Sequence, residues 1–432
     1  MSNNATHRLL RQKGLGILRE ILPKRKIQEI AHLEYPQERK RGLTSSLYFG
    51  LLVWAQIEKS IGSVDELLAQ GLGKIEEFYQ IPAPLITKQA VSWRSKKLPW
   101  RVFKSLYEYL VDSARQSDLF PENPDQDIYQ VKLIDSSLLD VAARLIGTMA
   151  SKPSKRFKSG KSTKGQVKLK TVFDWNRRMP ELIHLSKAST GELSGVKRLI
   201  KKAIKRAKAV ILVFDLGFFS YEFLSWLVSE KIYFVSRIRS NTRYEVIEEL
   251  GPNEWRVKLG ITAGYQKAVV ARLVKVKEKK NRYYYITNLL NRKQIGKRQI
   301  RLLYRYRWQI EIFFKELKHL LNIRKIFFRT PNGVKGQIYI GLSVYVLGRL
   351  LIARSAQKHG VKAQDFSFGR AITAIRIWLN HHPEKLFCMR PRRMLVNELL
   401  DKIYSFAYIK KKPIPHCGTS AYPSAKGGKD VA

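Results

Sequence analysis

IYQVKLIDSSLLDV, residues 128–141, marks the point where the character of the chain changes. It reads as a short apolar strand carrying Asp135 at its end. Upstream, residues 1–125 read as helical, and the acidic, Pro-containing PENPDQD (121–127) makes a boundary. A Lys/Ser/Gly-rich loop follows at about 149–165. VKLKTVFDW (167–175) and ELIHLSKA (181–188) then alternate with period two around NRRMP, which predicts a hairpin. Apolar spacing predicts a helix from Val196 to Ala207 with a basic outer face. AVILVFD (209–215) is a buried-type strand ending at Asp215, followed by a helix at 220–231 and a strand at 232–238. Two strands that each end in an aspartate matter because open α/β sheets gather their chemistry at the carboxyl ends of strands.

A second stretch, RLLYRYRWQIEIFFKELKHLL (301–321), predicts one helix free of Pro and Gly. With Tyr304 at zero, Arg307, Glu311 and Lys318 fall at about 300°, 340° and 320° on a helical wheel. Ile310, Phe313 and Leu317 cluster at about 180–240°, against a core. The four polar residues share one arc roughly 60° wide, a stripe of one carboxylate between cations, about 21 Å long. It suits a metal flanked by phosphates, although an amphipathic helix with an i,i+4 Arg–Glu pair reads the same way.

Charge narrows the partner. The 432 residues carry 81 Lys+Arg against 35 Asp+Glu, a net charge of +46. Such a surplus repels itself in the compact state, and a polyanion relieves it. Between residues 152 and 208 there are 18 Lys+Arg and only 3 Asp+Glu. The longest apolar run, Ile338 to Gly348, is stopped by Arg349 and is too short to span a bilayer. MSNNATHRLLRQKG (1–14) has no apolar signal core. Two cysteines, Cys388 and Cys417, are too few for a disulfide framework or a Cys-rich zinc site, and His381–His382 read as surface or structural residues. The chain is therefore expected to be cytoplasmic. Thr87 to Lys97 predicts a short helix exposing Lys88, Gln89, Arg94, Lys96 and Lys97, which suits either a helix-turn-helix DNA reader or a solvated basic helix.

The spacing Tyr304-x2-Arg307-x3-Glu311-x6-Lys318 resembles the helix motif of IS4-type insertion-sequence transposases of the DDE group. The strand and helix order around Asp135 and Asp215 is similar to the ribonuclease-H-like fold of polynucleotidyl transferases. The resemblance implies an α/β, ribonuclease-H-like catalytic core over 126–240 and 296–380, interrupted by an all-β insertion at 241–295. A helical N-terminal DNA-binding region (1–125) would precede it, and a C-terminal region with a disordered tail (381–432) would follow. Asp135, Asp215 and Glu311 would be catalytic and would hold two Mg²⁺ ions, with Mn²⁺ as a substitute. Asp140 and Asp174 are the competing carboxylates, Asp140 past the strand end and Asp174 at the hairpin tip. Tyr304, Arg307 and Lys318 would grip DNA phosphates. Tyr283 would stack on a flipped base, although the Tyr283–Tyr285 run also reads as an ordinary strand with alternate rings buried. The partners implied are double-stranded DNA and a second copy in a homodimeric synaptic complex, with a hairpin intermediate and a nucleoid-associated location. A binding-only descendant, or another nuclease of the same fold, are the rival readings.

Overall fold

The computed structural model describes residues 24–36, 43–70, 86–120, 129–153, 164–204, 209–239, 241–260, 268–278, 281–381 and 393–409. The expectations placed on residues 1–14, the linker at 121–127, residues 154–163 of the Lys/Ser/Gly loop, His382, Cys388, Cys417 and the tail from Lys410 lie outside the described residues. The described chain divides into two compact units. One draws on residues within 1–120, 138–167 and 314–412; the other draws on residues within 121–137 and 168–313.

The second unit is built on a mixed α/β arrangement around a large sheet. The strands are β1 (Gln130–Ala142), β2 (Lys164–Asp174), β3 (Met179–Lys187), β4 (Val210–Phe214), β5 (Tyr233–Arg237), β6 (Tyr244–Gly251), β7 (Glu254–Leu259), β8 (Val269–Glu278) and β9 (Asn281–Thr287), of which residues 138–142 of β1 and 164–167 of β2 are counted in the first unit. They lie in the order β3-β2-β1-β4-β5-β9-β8-β7-β6. β1, β4 and β5 run parallel, with Ile134 opposite Phe214 and Val213 opposite Val235. β4 reads as an unbroken apolar run and is buried along its whole length, as expected for a strand covered on both faces. β9 pairs antiparallel with β5, Val235 facing Thr287, and the meander from β6 to β9 extends the same sheet outward.

β1 departs from the expectation of a short strand ending at Asp135. It continues to Ala142, because Leu139 and Val141 alternate inward beyond the aspartate. Only its first part, Gln130 to Ile134, pairs with β4. Asp135 therefore still stands where the parallel pairing stops.

Helices α1 (Lys24–Glu34), α2 (Ser45–Ile57), α3 (Lys88–Lys97), α4 (Trp100–Gln116), α5 (Val196–Ile204), α6 (Tyr221–Ser229), α7 (Lys297–Tyr306), α8 (Trp308–Leu320), α9 (Pro331–Lys358), α10 (Phe368–His381) and α11 (Arg393–Ala407) complete the description. In the first unit α9 is the central helix, and α2, α3, α4, α10 and α11 pack against it. It is long and apolar enough to cross a membrane by length and composition, but 89% of its apolar window is buried inside the protein. Arg349, the charge that interrupts its apolar run, donates to Glu316 at 2.7 Å and to the Tyr345 hydroxyl. Asn322 and Asn332 bind the unit together: Asn322 donates to carbonyls at the end of α2, and Asn332 both accepts from the Trp100 N–H and donates to carbonyls at the end of α3. α3 begins, as its sequence predicts, with Thr87 capping the Ala90 N–H. Its exposed face differs from expectation, however. Arg94 is buried and donates to Ser45 Oγ at 3.1 Å, so it belongs to the packing, and Lys88 pairs with Asp65.

An ion cluster is buried under β1. Lys132, 1% exposed, sits 2.7 Å from both Asp174 and Glu181, and Arg177 reaches Asp174 at 3.1 Å. Burial pushes the Asp174 carboxyl up, but Lys132 and Arg177 together outweigh it and hold the group down to about 2. Because its folded value is depressed, Asp174 adds stability above its unfolded value, and that stability is lost as pH falls from about 4 towards 2. Lys132→Met is expected to destabilise by about 3–5 kcal/mol at pH 7 in urea unfolding, because it strands two buried carboxylates. The loss should shrink as the pH is lowered towards 2.

Candidate active site

The parallel register of β1 and β4 places Asp135 and Asp215 immediately after the paired residues Ile134 and Phe214. The two carboxylates thus leave neighbouring strands, spaced about 4.8 Å apart, at the same edge of the sheet. Each is held by the backbone that follows it. Asp135 Oδ1 accepts from the Ser136 N–H at 2.7 Å, and Asp215 Oδ1 accepts from the Gly217 N–H at 2.8 Å as it caps a single 3₁₀ turn.

α7 packs against β4 and β5 and carries Tyr304 to this edge. The expected single helix over 301–321 is in fact two, α7 and α8, joined at Arg307, whose φ −52° and ψ −33° remain helical. Around it the bonds tighten to three-residue steps, Arg307 N–H to Tyr304 O and Ile310 N–H to Arg307 O. The guanidinium at this joint touches two carboxylates: Nη1 lies 3.8 Å from Asp135 Oδ2, and Nη2 lies 2.6 Å from Glu311 Oε1. Asp135, Asp215, Tyr304, Arg307 and Glu311 are thereby brought together.

Burial pushes the Asp135 carboxyl up to about 7; the nearby charges of Asp215 and Glu311 add to the rise, while the Ser136 hydrogen bond and Arg307 oppose it. Burial also raises the Tyr304 hydroxyl, Asp215 adds to this, and Arg307 and Arg237 act against it. Its ring lies 5.1 Å from that of Tyr285 on β9.

Lys318 lies on the part of α8 that belongs to the other unit. It is half-buried, and burial followed by Arg324 lowers its pKa while Asp140 raises it. Next to it the exposed His319 is held below its ordinary range, chiefly by Arg324, with slight burial and then Lys315, Lys318 and Lys59 acting in the same direction. The competing aspartates have other duties. Asp174 belongs to the buried Lys132 cluster, and Asp140 accepts from Gln166 at 3.0 Å. Tyr283 sits on β9 with the Arg237 guanidinium 4.8 Å from its ring centroid.

Three residues at this edge escaped the sequence reading. Arg237 ends β5 and acts on Tyr304, and its buried Nε, like that of Arg307, has no hydrogen-bond partner among the described residues. Trp308, beside Arg307, is 60% exposed. Glu192 accepts from Ser136 Oγ at 2.7 Å. A cation ending an apolar strand was a usable signal for Arg237; no spacing pointed to Glu192.

Residues 127–347, just over half of the chain, match the family described as the transposase DDE domain. The chain belongs to this DDE transposase family. It is 24% identical over 195 residues to a transposase-named protein, y4zB, of Sinorhizobium fredii, covering 43% of this chain and 53% of that protein. It is 23% identical over 303 residues to the transposase named for insertion sequence element IS5377 of Geobacillus stearothermophilus, covering 66% of this chain and 73% of the relative. To transposase InsG of insertion sequence element IS4 of Escherichia coli it is 25% identical over 158 residues, covering 34% of this chain and 36% of the relative. The chain thus spans about half the length of the first of these relatives and about a third of the last.

Membership in the DDE transposase family implies dependence on a divalent metal ion. Among the described residues, no three His, Cys, Asp or Glu side chains stand close enough together to hold a metal as placed. Between two of the carboxylates expected to hold it, Asp135 and Glu311, lies the Arg307 guanidinium. The donor chemistry nevertheless fits a hard dication, with three carboxylates on fixed elements and an Asp135 whose ionisation the surroundings disfavour until positive charge arrives.

Asp135 is a raised carboxyl, so its sign is opposite to that of Asp174. Its contribution favours the folded state below the unfolded value and is lost as pH rises towards 7. In EDTA, Asp135→Asn should therefore raise Tm by several degrees at pH 8 and by little at pH 4. Scanning calorimetry across that range checks both ends.

Proposed function

We propose that this chain is an IS4-type DNA transposase that binds the terminal inverted repeats of its own element, cuts them and joins them to target DNA. The observation that carries the reading is the pair of aspartates on adjacent parallel strand ends with the Arg307–Glu311 pair lying against Asp135. The core would be ribonuclease-H-like over 126–240 and 296–380, with 241–295 as its β insertion, 1–125 as a DNA-binding region and 381–432 as a C-terminal region.

In this reading Asp135, Asp215 and Glu311 hold two Mg²⁺ ions, which Mn²⁺ can replace. The bound metal would activate the attacking oxygen and stabilise the leaving one during phosphoryl transfer. The chain's own residues do the rest. Arg307 shifts from Glu311 towards a backbone phosphate, where its free Nε offers a further donor, and this frees the glutamate. Tyr304, its ring packed against that of Tyr285, gives a hydroxyl, and Arg237 supplies a second guanidinium near it. Lys318 contacts the phosphate backbone further along α8, beside the cations around His319. Trp308, exposed next to Arg307, offers a ring to an unstacked base, as does Tyr283 if Arg237 swings off its face. A hairpin intermediate and a homodimer holding both ends belong to the same proposal, in a chain that works on the nucleoid in the cytoplasm.

Purified protein and a duplex carrying an element end test this. Asp135→Ala, Asp215→Ala and Glu311→Ala should each abolish Mg²⁺-dependent cleavage and leave DNA binding intact by mobility shift. Normal cleavage by Asp215→Ala would remove it from the site. Arg307→Ala and Lys318→Ala should instead accumulate nicked DNA at the expense of hairpin, because a phosphate clamp matters most where the strand bends sharply.

The +46 charge leads to a separate expectation. Binding to random duplex should weaken with salt at a log–log slope of about −0.9 per phosphate neutralised. A flat response between about 50 and 200 mM salt would show that the surplus serves some other purpose.

A further inference from the structure

Glu192 lies in STGELSG (189–195), the connection from β3 to α5, and both of its carboxylate oxygens are engaged. Oε2 accepts from Ser136 Oγ at 2.7 Å, and Oε1 accepts from Lys168 Nζ at 2.6 Å. The loop around it is clamped from below by two lysines of β2. Lys168 also donates to Thr190 O at 2.8 Å, and the fully buried Lys170 donates to Gly191 O at 2.5 Å and to Ser194 O at 2.7 Å. Burying two ammonium groups is expensive unless they are satisfied, so apolar packing would be the cheaper way merely to hold a loop down. The arrangement instead fixes one carboxylate at one place.

That place lies between the two aspartate-bearing turns. Ser136, which Glu192 holds by its hydroxyl, is the residue whose N–H orients Asp135 Oδ1 at 2.7 Å. On the other side is Gly217, whose N–H orients Asp215 Oδ1; a Cβ there would stand 3.9 Å from Glu192 Cγ and 3.1 Å from Asp215 Oδ1. Glu192 therefore reaches the turn that presents each carboxylate, without pairing with either one. Lys168 balances its charge, so it adds little repulsion to the Asp135–Asp215 pair.

We infer that Glu192 is a positioning residue for the divalent-metal site: through Ser136 it sets the orientation in which Asp135 offers its carboxylate to the ion. The inference rests on the metal-binding role proposed above for Asp135. Groups that orient a ligand from behind in this way commonly change metal affinity by about 10–100-fold when removed.

The test is Mn²⁺ binding to the full-length protein without DNA, followed by the loss of the free-ion signal in electron paramagnetic resonance, with Tm recorded for each variant. Ser136→Ala removes only the hydroxyl link, and Glu192→Ala removes both links. Both should weaken Mn²⁺ binding by about 10-fold or more. Glu192→Gln keeps an oxygen that can accept from Ser136 and loses only the ion pair with Lys168, so it should recover most of the affinity. Lowered Tm with unchanged Mn²⁺ affinity in both Ser136→Ala and Glu192→Ala would make the contact purely structural and overturn the proposal. Loss of one whole Mn²⁺ equivalent in Glu192→Ala, matching Asp215→Ala, would overturn it in favour of direct ligation. Failure of the wild-type protein to bind Mn²⁺ at all would instead overturn the metal reading, and this inference with it.

Discussion

Two carboxylates cannot leave adjacent parallel strands at the same edge without repelling each other, and that constraint organises the site. The register that pairs Ile134 with Phe214 makes the proximity of Asp135 and Asp215 unavoidable. Moving either aspartate by one residue would turn its side chain to the other face of the sheet, so the pair exists only in this register. The surroundings answer the repulsion with directed partners: a backbone N–H for each carboxylate, and the Arg307 guanidinium set against Asp135 and Glu311. These do not fully compensate, and Asp135 remains pushed up to about 7 by burial and by its acidic neighbours. In the proposed function this shortfall of positive charge is what a bound cation would make good.

The same need for directed partners explains where part of the basic surplus goes. Counting Lys and Arg between 152 and 208 suggests a surface for a polyanion, but several of these cations are internal connections. Lys168 and Lys170 clamp the loop around Glu192, while Lys197 pairs with Glu222 on α6 and Lys201 with Glu230, the residue that caps its end. Lys132, outside that window, neutralises two acids beneath β1. In the proposed function, contact with phosphate would fall to cations not committed in this way. The group around His319 is a candidate, since Arg324, Lys315, Lys318 and Lys59 all bear on the histidine and together lower its pKa.

The features legible in the sequence were those written in short-range patterns. An apolar run followed by aspartate marks where buried parallel pairing stops, at Ile134 and Phe214, and so points to Asp135 and Asp215 even though β1 itself runs on. The spacing of Tyr304, Arg307 and Glu311 encodes a shared helical face, and it survives the joint at Arg307 because that residue keeps helical dihedrals. The joint itself was not legible: nothing in a run free of Pro and Gly forecasts a tightening that accompanies a guanidinium's two carboxylate contacts. The length of β1 is hidden in the sequence for a related reason. The two serines after Asp135 look like a stop until Leu139 and Val141 are seen to be buried beyond them.

Long-range pairs were illegible in principle. Arg94 looks like any exposed cation of a basic helix, and only its partner Ser45, 49 residues away, reveals that it faces inward. Glu192 sits in a polar loop 56 residues from Ser136, with no periodicity to single it out. Its importance lies entirely in what the β2 lysines and the β1 turn bring to it. Sequence pattern can locate the groups that face a substrate, because their spacing follows the geometry of the element that carries them. The groups that hold those side chains in place follow only the geometry of the assembled sheet, so they become visible once the strands are in register.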